Sequence, residues 1–88
     1  MAKANVLIVE DEKEIAELIR FHLEREEFST RTVYSGRVAL EAVSREPPVL
    51  ILLDLMLPDG RGSDLLAEGS ELSGSTVVVV ITGEQGLD

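Results

Sequence analysis

Two apolar runs in this sequence of 88 residues end on acid. "ANVLIVEDE" delivers Glu10, Asp11 and Glu12, and "VLILLD" delivers Asp54, which the turn residues Pro58, Asp59 and Gly60 soon follow. An ionised carboxylate is costly to desolvate and seldom closes a buried run unless something pairs with it. Three carboxylates brought to one place repel, and their pKa values rise unless a cation sits between them. Mg²⁺ fits such a set, because it is a hard ion that takes oxygen ligands, keeps several waters and needs only one or two protein carboxylates beside a phosphate. A carboxylate next to that ion is a competent phosphoryl acceptor, since the metal neutralises the charge that spreads over the transferred oxygens.

The elements that must position these acids are legible from periodicity. Ala4 to Val9, Val49 to Leu53 and Thr76 to Thr82 are strand-length apolar runs, the last the most β-branched in the chain. Between about Glu12 and Glu26, Ile15, Leu18, Ile19 and Leu23 recur at helical spacing among Glu and Arg, which predicts an amphipathic helix. "FSTRTVY" alternates and predicts a short, half-exposed strand. A second helix is expected after Ser35, with Val38, Leu40, Ala42 and Val43 apolar, ending before Pro47-Pro48 because proline cannot continue it. A weak helix is read over residues 63–68, ended by Gly69.

Strand and helix therefore alternate as βαβαβαβ, which predicts an α/β fold with a parallel sheet and helices on both faces. Such sheets bind ligands outside the carboxyl ends of their strands. Glu10, Asp11, Asp54 and Thr82 all fall at such ends.

Composition narrows the class of function. A formal net charge of -9 with only two lysines, Lys3 and Lys13, argues against a nucleic-acid or anionic-membrane surface. The absence of cysteine excludes disulfides and thiolate metal sites and fits an intracellular protein. No apolar run approaches the ~20 residues that span a bilayer, so the chain is expected to be soluble and cytoplasmic, with no membrane partner. Residues 1–88 read as one small domain with a single modest core.

The residues then point to a family. With "VLIVEDE" on the first strand, "LLDLMLPDGRG" on the third and "VVVVITG" on the fourth, the chain resembles the receiver domain of bacterial two-component response regulators. The resemblance implies flavodoxin-like topology with strand order 2-1-3-4 and makes Asp54 the acceptor of a phosphoryl group from a histidine kinase. By the same resemblance Asp11 ligates Mg²⁺ directly, Glu10 acts through water, and the backbone carbonyl of Met56 is a third metal contact. Thr82 matches the family's switch hydroxyl, Gly83 leaves room for the phosphoryl donor, and enzymatic activity is at most Mg-dependent self-phosphorylation.

The chain also departs from that pattern. A complete receiver continues into a fifth strand bearing a lysine that pairs with the phosphoryl oxygens, so a single receiver truncated at its C-terminus is expected. Lys3 lies at the wrong end of the first strand, on the order of 20 Å away at ~3.3 Å per residue, whereas Lys13 begins the first helix near the acids. The alternative reading is a receiver fragment that works only as a non-phosphorylated interaction module. With the fifth strand missing, Thr76 to Thr82 becomes an edge, from which a homo-oligomer formed by pairing of this strand or by segment exchange is expected. Three blander readings stand beside these: Glu10 and Asp11 as mere caps of the first helix, His22 as a partly buried surface histidine, and Glu24 to Glu27 as a solvated face.

Overall fold

A computed structural model describes residues 4–54 and 76–80. The expectations that fall on Met56, on Pro58 to Gly60, on residues 63–68 and on Thr82 and Gly83 lie outside the described residues. Those described form β1 (Asn5–Val9), α1 (Lys13–Arg25), β2 (Ser29–Val33), α2 (Gly36–Arg45), β3 (Leu50–Leu53) and β4 (Val77–Val80). The four strands make one parallel sheet in the order β2-β1-β3-β4.

Alternation along the two central strands decides which helix each residue meets, because successive side chains point to opposite faces. Leu7 and Val9 of β1 pack with Ile51 and Leu53 of β3 under Ala39 and Val43 of α2, all fully buried. Val6 and Ile8, with Leu50 and Leu52, face the other way onto Ala16, Ile19 and Leu23 of α1. The expected helices on both faces are therefore present. Both central strands are covered on each side, which is why they read as continuous apolar runs.

The helix faces differ in detail from the periodicity reading. Ile15 and Leu18 were expected in the apolar stripe of α1, yet they are exposed, and the small Ala16 lies against the sheet instead. Val38 of α2 is likewise exposed, while Ala39 takes the buried place. Alanine lets a helix approach a sheet closely and carries little hydrophobic weight, so a search for large apolar residues passes over it.

The ends follow local chemistry. Ser35, after which the helix was expected, caps α2, its Oγ accepting the Val38 N–H at 3.3 Å. At the other end of α1, the Phe28 N–H donates to Leu23 O and the Glu27 N–H to Glu24 O, both at 3.1 Å. This pair of bonds is a Schellman closure, with Phe28 packed into the same cluster as Leu23. It places Glu27 at φ 70°, a left-handed conformation that favours glycine.

Candidate acidic site at the strand ends

Backbone pairing brings the acids together. The register sets Val9 beside Leu53, and the ladder runs one step further: the Asp54 N–H donates to Val9 O at 3.2 Å, and the Glu10 N–H donates to Val33 O at 3.1 Å. Glu10 and Asp54 therefore close adjacent strands at the same level. Both are 5% exposed, while Asp11 is half-buried. One carboxylate oxygen from each of Glu10, Asp11 and Asp54 lies within 4.8 Å of the others.

That geometry has an electrostatic consequence. Burial pushes the Glu10 carboxyl above its ordinary pKa, and the charges of Asp54, Asp11 and Glu12 push it the same way. The Glu12 N–H, which donates to Glu10 Oε2 at 3.1 Å, works against the rise. The balance is a carboxylate held at a cost that a nearby cation would relieve. The donor set, all carboxylate oxygen with two members nearly buried, fits a hard divalent ion.

The helix-cap reading of these acids does not hold. Glu12 occupies the N-cap of α1 and makes no side-chain capping bond, and among the described residues the Glu10 carboxylate accepts from the Glu12 N–H, ahead of the helix. His22 is exposed, not partly buried, and stands edge-on to Phe21 with ring centroids 5.6 Å apart. Glu24 to Glu27 are solvated, as expected.

The structure thus brings together Glu10, Asp11 and Asp54, three of the five residues that the sequence singles out for the site. Met56 and Thr82 lie outside the described residues. Sequence reasoning missed Tyr34, which directly follows β2 and whose ring lies under the Lys13 ammonium, 5.3 Å from Nζ to the ring centroid. The signal was available, since Tyr34 stands at a strand end like the acids, but an aromatic residue there draws less attention than a charge.

Comparison with known proteins agrees with this architecture. Over its full length the chain is 39% identical to the response regulator protein PilR of Pseudomonas aeruginosa, covering 20% of that protein. It is 33% identical over 87 residues to the uncharacterized transcriptional regulatory protein YkoG of Bacillus subtilis, covering 99% of this chain and 38% of the relative. The chain therefore spans well under half the length of either curated relative. A CheY-like response regulator receiver domain protein from Methanospirillum hungatei superposes with a TM-score of 0.88 at 27% identity, over 98% of this chain and 69% of that one. The family model for the response regulator receiver domain matches residues 6–88. With the parallel 2-1-3-4 sheet and the acids at its strand ends, the match establishes that this chain belongs to the response regulator receiver domain family.

Proposed function

We propose that the chain is the phosphoacceptor module of a two-component response regulator, with Asp54 receiving a phosphoryl group from a histidine kinase in a Mg²⁺-dependent reaction. The observation that carries this reading is the meeting of Glu10, Asp11 and Asp54 within 4.8 Å at the ends of adjacent central strands. A carboxylate oxygen of Asp54 attacks phosphorus, the P–N bond to the kinase histidine breaks, and an acyl phosphate forms. Bound Mg²⁺ would supply neutralisation of the charge on the transferring oxygens. Asp11 and Asp54 would hold it directly with the Met56 carbonyl, and Glu10 through water. Thr82 would carry the switch hydroxyl that reads the new group.

A second feature supports a protein partner. Ile15, Leu18 and Phe21 form an exposed apolar stripe on α1, beginning in the first turn beyond the acids. Exposed apolar patches mark interaction surfaces, and this one suits a helical kinase surface presenting its phosphohistidine to Asp54. Among the described residues no helix is long and apolar enough to cross a membrane.

The test is intact mass spectrometry after incubation with acetyl phosphate and Mg²⁺. A single hydroxylamine-sensitive phosphoryl adduct, absent from Asp54→Asn and suppressed by chelator or by Asp11→Asn, is the expected result. A protein that stays unmodified under those conditions overturns the assignment.

A further inference from the structure

The turn between β1 and α1, residues 10–13, carries two of the three acids of the site, Glu10 and Asp11, and leads the chain into the helix. A helix start is ordinarily secured by an N-cap side chain that accepts from the first turn's N–H groups. Here the N-cap Glu12 makes no such bond, so the helix supplies no cap of its own. Two consecutive residues at the end of β2 hold the turn instead. The Val33 carbonyl accepts the Glu10 N–H at 3.1 Å, and the Tyr34 ring lies under the Lys13 ammonium, 5.3 Å from Nζ to the ring centroid. Between those two points the Glu12 N–H donates to Glu10 Oε2 at 3.1 Å. The turn is thereby fastened to β2 at both ends and braced across its middle.

From this we infer that Tyr34 is a positioning residue: by clasping Lys13 it steadies the β1–α1 turn and so sets where Glu10 and Asp11 present their carboxylates. Lys13 acts here through the backbone that joins it to Glu12, whose N–H meets the Glu10 carboxylate. The service of the clasp to phosphoryl transfer rests on the metal reading of the acidic site, whereas the clasp itself belongs to the metal-free chain. Losing a cation–π contact at an exposed site, worth ~0.5–1 kcal/mol, corresponds to local opening that is about two- to five-fold more frequent.

Amide hydrogen exchange and NMR on the whole metal-free chain test this. The Ala16 N–H, which donates to Glu12 O at 3.0 Å, reports opening at the turn, and the amides of Glu26 and Phe28, which both donate to Leu23 O, report the far end of α1. Tyr34→Leu and Lys13→Met should each speed exchange at Ala16 about two- to five-fold and leave Glu26 and Phe28 unchanged. Tyr34→Phe, which keeps a ring, should behave as wild type. With a single tyrosine and no tryptophan in the chain, an upfield ring-current shift of the Lys13 ε-methylene protons that vanishes in Tyr34→Leu should mark the clasp directly. The Glu12 amide proton should also move upfield in Tyr34→Leu as its bond to Glu10 weakens. Exchange at Ala16 that Tyr34→Leu leaves unchanged, or raises no more than at Glu26 and Phe28, overturns the clasp, as do unshifted ε-protons in the wild type. A Glu12 amide that keeps its shift in Tyr34→Leu overturns the positioning of Glu10. Mg²⁺ titration at the amides of Asp11 and Asp54 should show weaker affinity in Tyr34→Leu. Equal affinities overturn the service to the site while sparing the metal reading, and a wild type that does not respond to Mg²⁺ overturns both.

Discussion

The central strands β1 and β3 and the outer strands β2 and β4 share one sheet but meet different surroundings. Val6 to Val9, Ile51 and Leu53 are wholly buried. No residue of β2 or β4 is, and Val77, Val79 and Val80 of β4 are exposed. The acids close the two buried strands. The candidate site thus rests on the most deeply buried part of the sheet, where packing from both faces fixes the positions at which the carboxylates meet.

Cutting into the centre should cost most. Ile51→Ala removes a fully buried side chain under α2 and should destabilise by ~2–5 kcal/mol. Val79→Ala on the outer strand should cost less than about 1 kcal/mol. Scanning calorimetry separates them, since each kcal/mol moves the midpoint by roughly 4–8 °C in a domain of this size. Equal losses would erase the distinction between inner and outer strands.

The outer edge carries the second prediction. In this 88-residue chain β4 is the outermost described strand on its side, apolar and unguarded by charge. We expect a dimer or larger assembly at tens of micromolar by light scattering coupled to size exclusion. Val79→Lys should shift it to monomer, and a wild-type monomer would refute edge pairing.

The third prediction uses the Glu10 carboxyl. Its pKa is raised in the fold, so the native state holds that proton more tightly than the unfolded chain does. The ionisation penalty is absent below the unfolded pKa. Stability should then fall as pH rises from the ordinary carboxylate range through the folded pKa. Glu10→Gln should flatten that slope and stabilise the metal-free protein at neutral pH, while reducing the stabilisation that added Mg²⁺ gives. Chemical denaturation across pH, with and without Mg²⁺, measures both; a slope unchanged in the variant would show that Glu10 is not its source.

The smallest effect lies in the turn that feeds β2. Glu27→Gly relieves a left-handed, non-glycine backbone and removes an acid from the C-terminal end of α1, where the helix dipole disfavours negative charge. A gain of about 0.5–1 kcal/mol in urea unfolding is expected.

The strand order came from the family resemblance, whereas helix placement and the acidic trio were legible because burial writes itself as apolar runs and acid at a strand end stands out against them. The lengths of β1, β3 and α2 came within a residue or so for the same reason. Ala16 and Ala39 were not legible as core, since small residues carry weak hydrophobic signal. Glu27 was not legible as left-handed, because the rule points to glycine there and the tertiary contact of Phe28 overrides it. The Tyr34 contact escaped because it depends on where Lys13 lies across the turn, a relation that no local pattern encodes.

The continuation of the ladder past β1 and β3 makes the sheet a measuring device. Because the Asp54 N–H still bonds to Val9 O, the carboxylate's height is counted in residues from the packed centre of β3. Substitutions along the strand can vary its chemistry without moving the site. One inserted or deleted residue shifts the carboxyl by ~3.3 Å and turns it toward the other face. A lineage carrying this site can therefore drift widely in composition while its strand lengths stay frozen, and a designer who grafts the site elsewhere must copy the count before the residues.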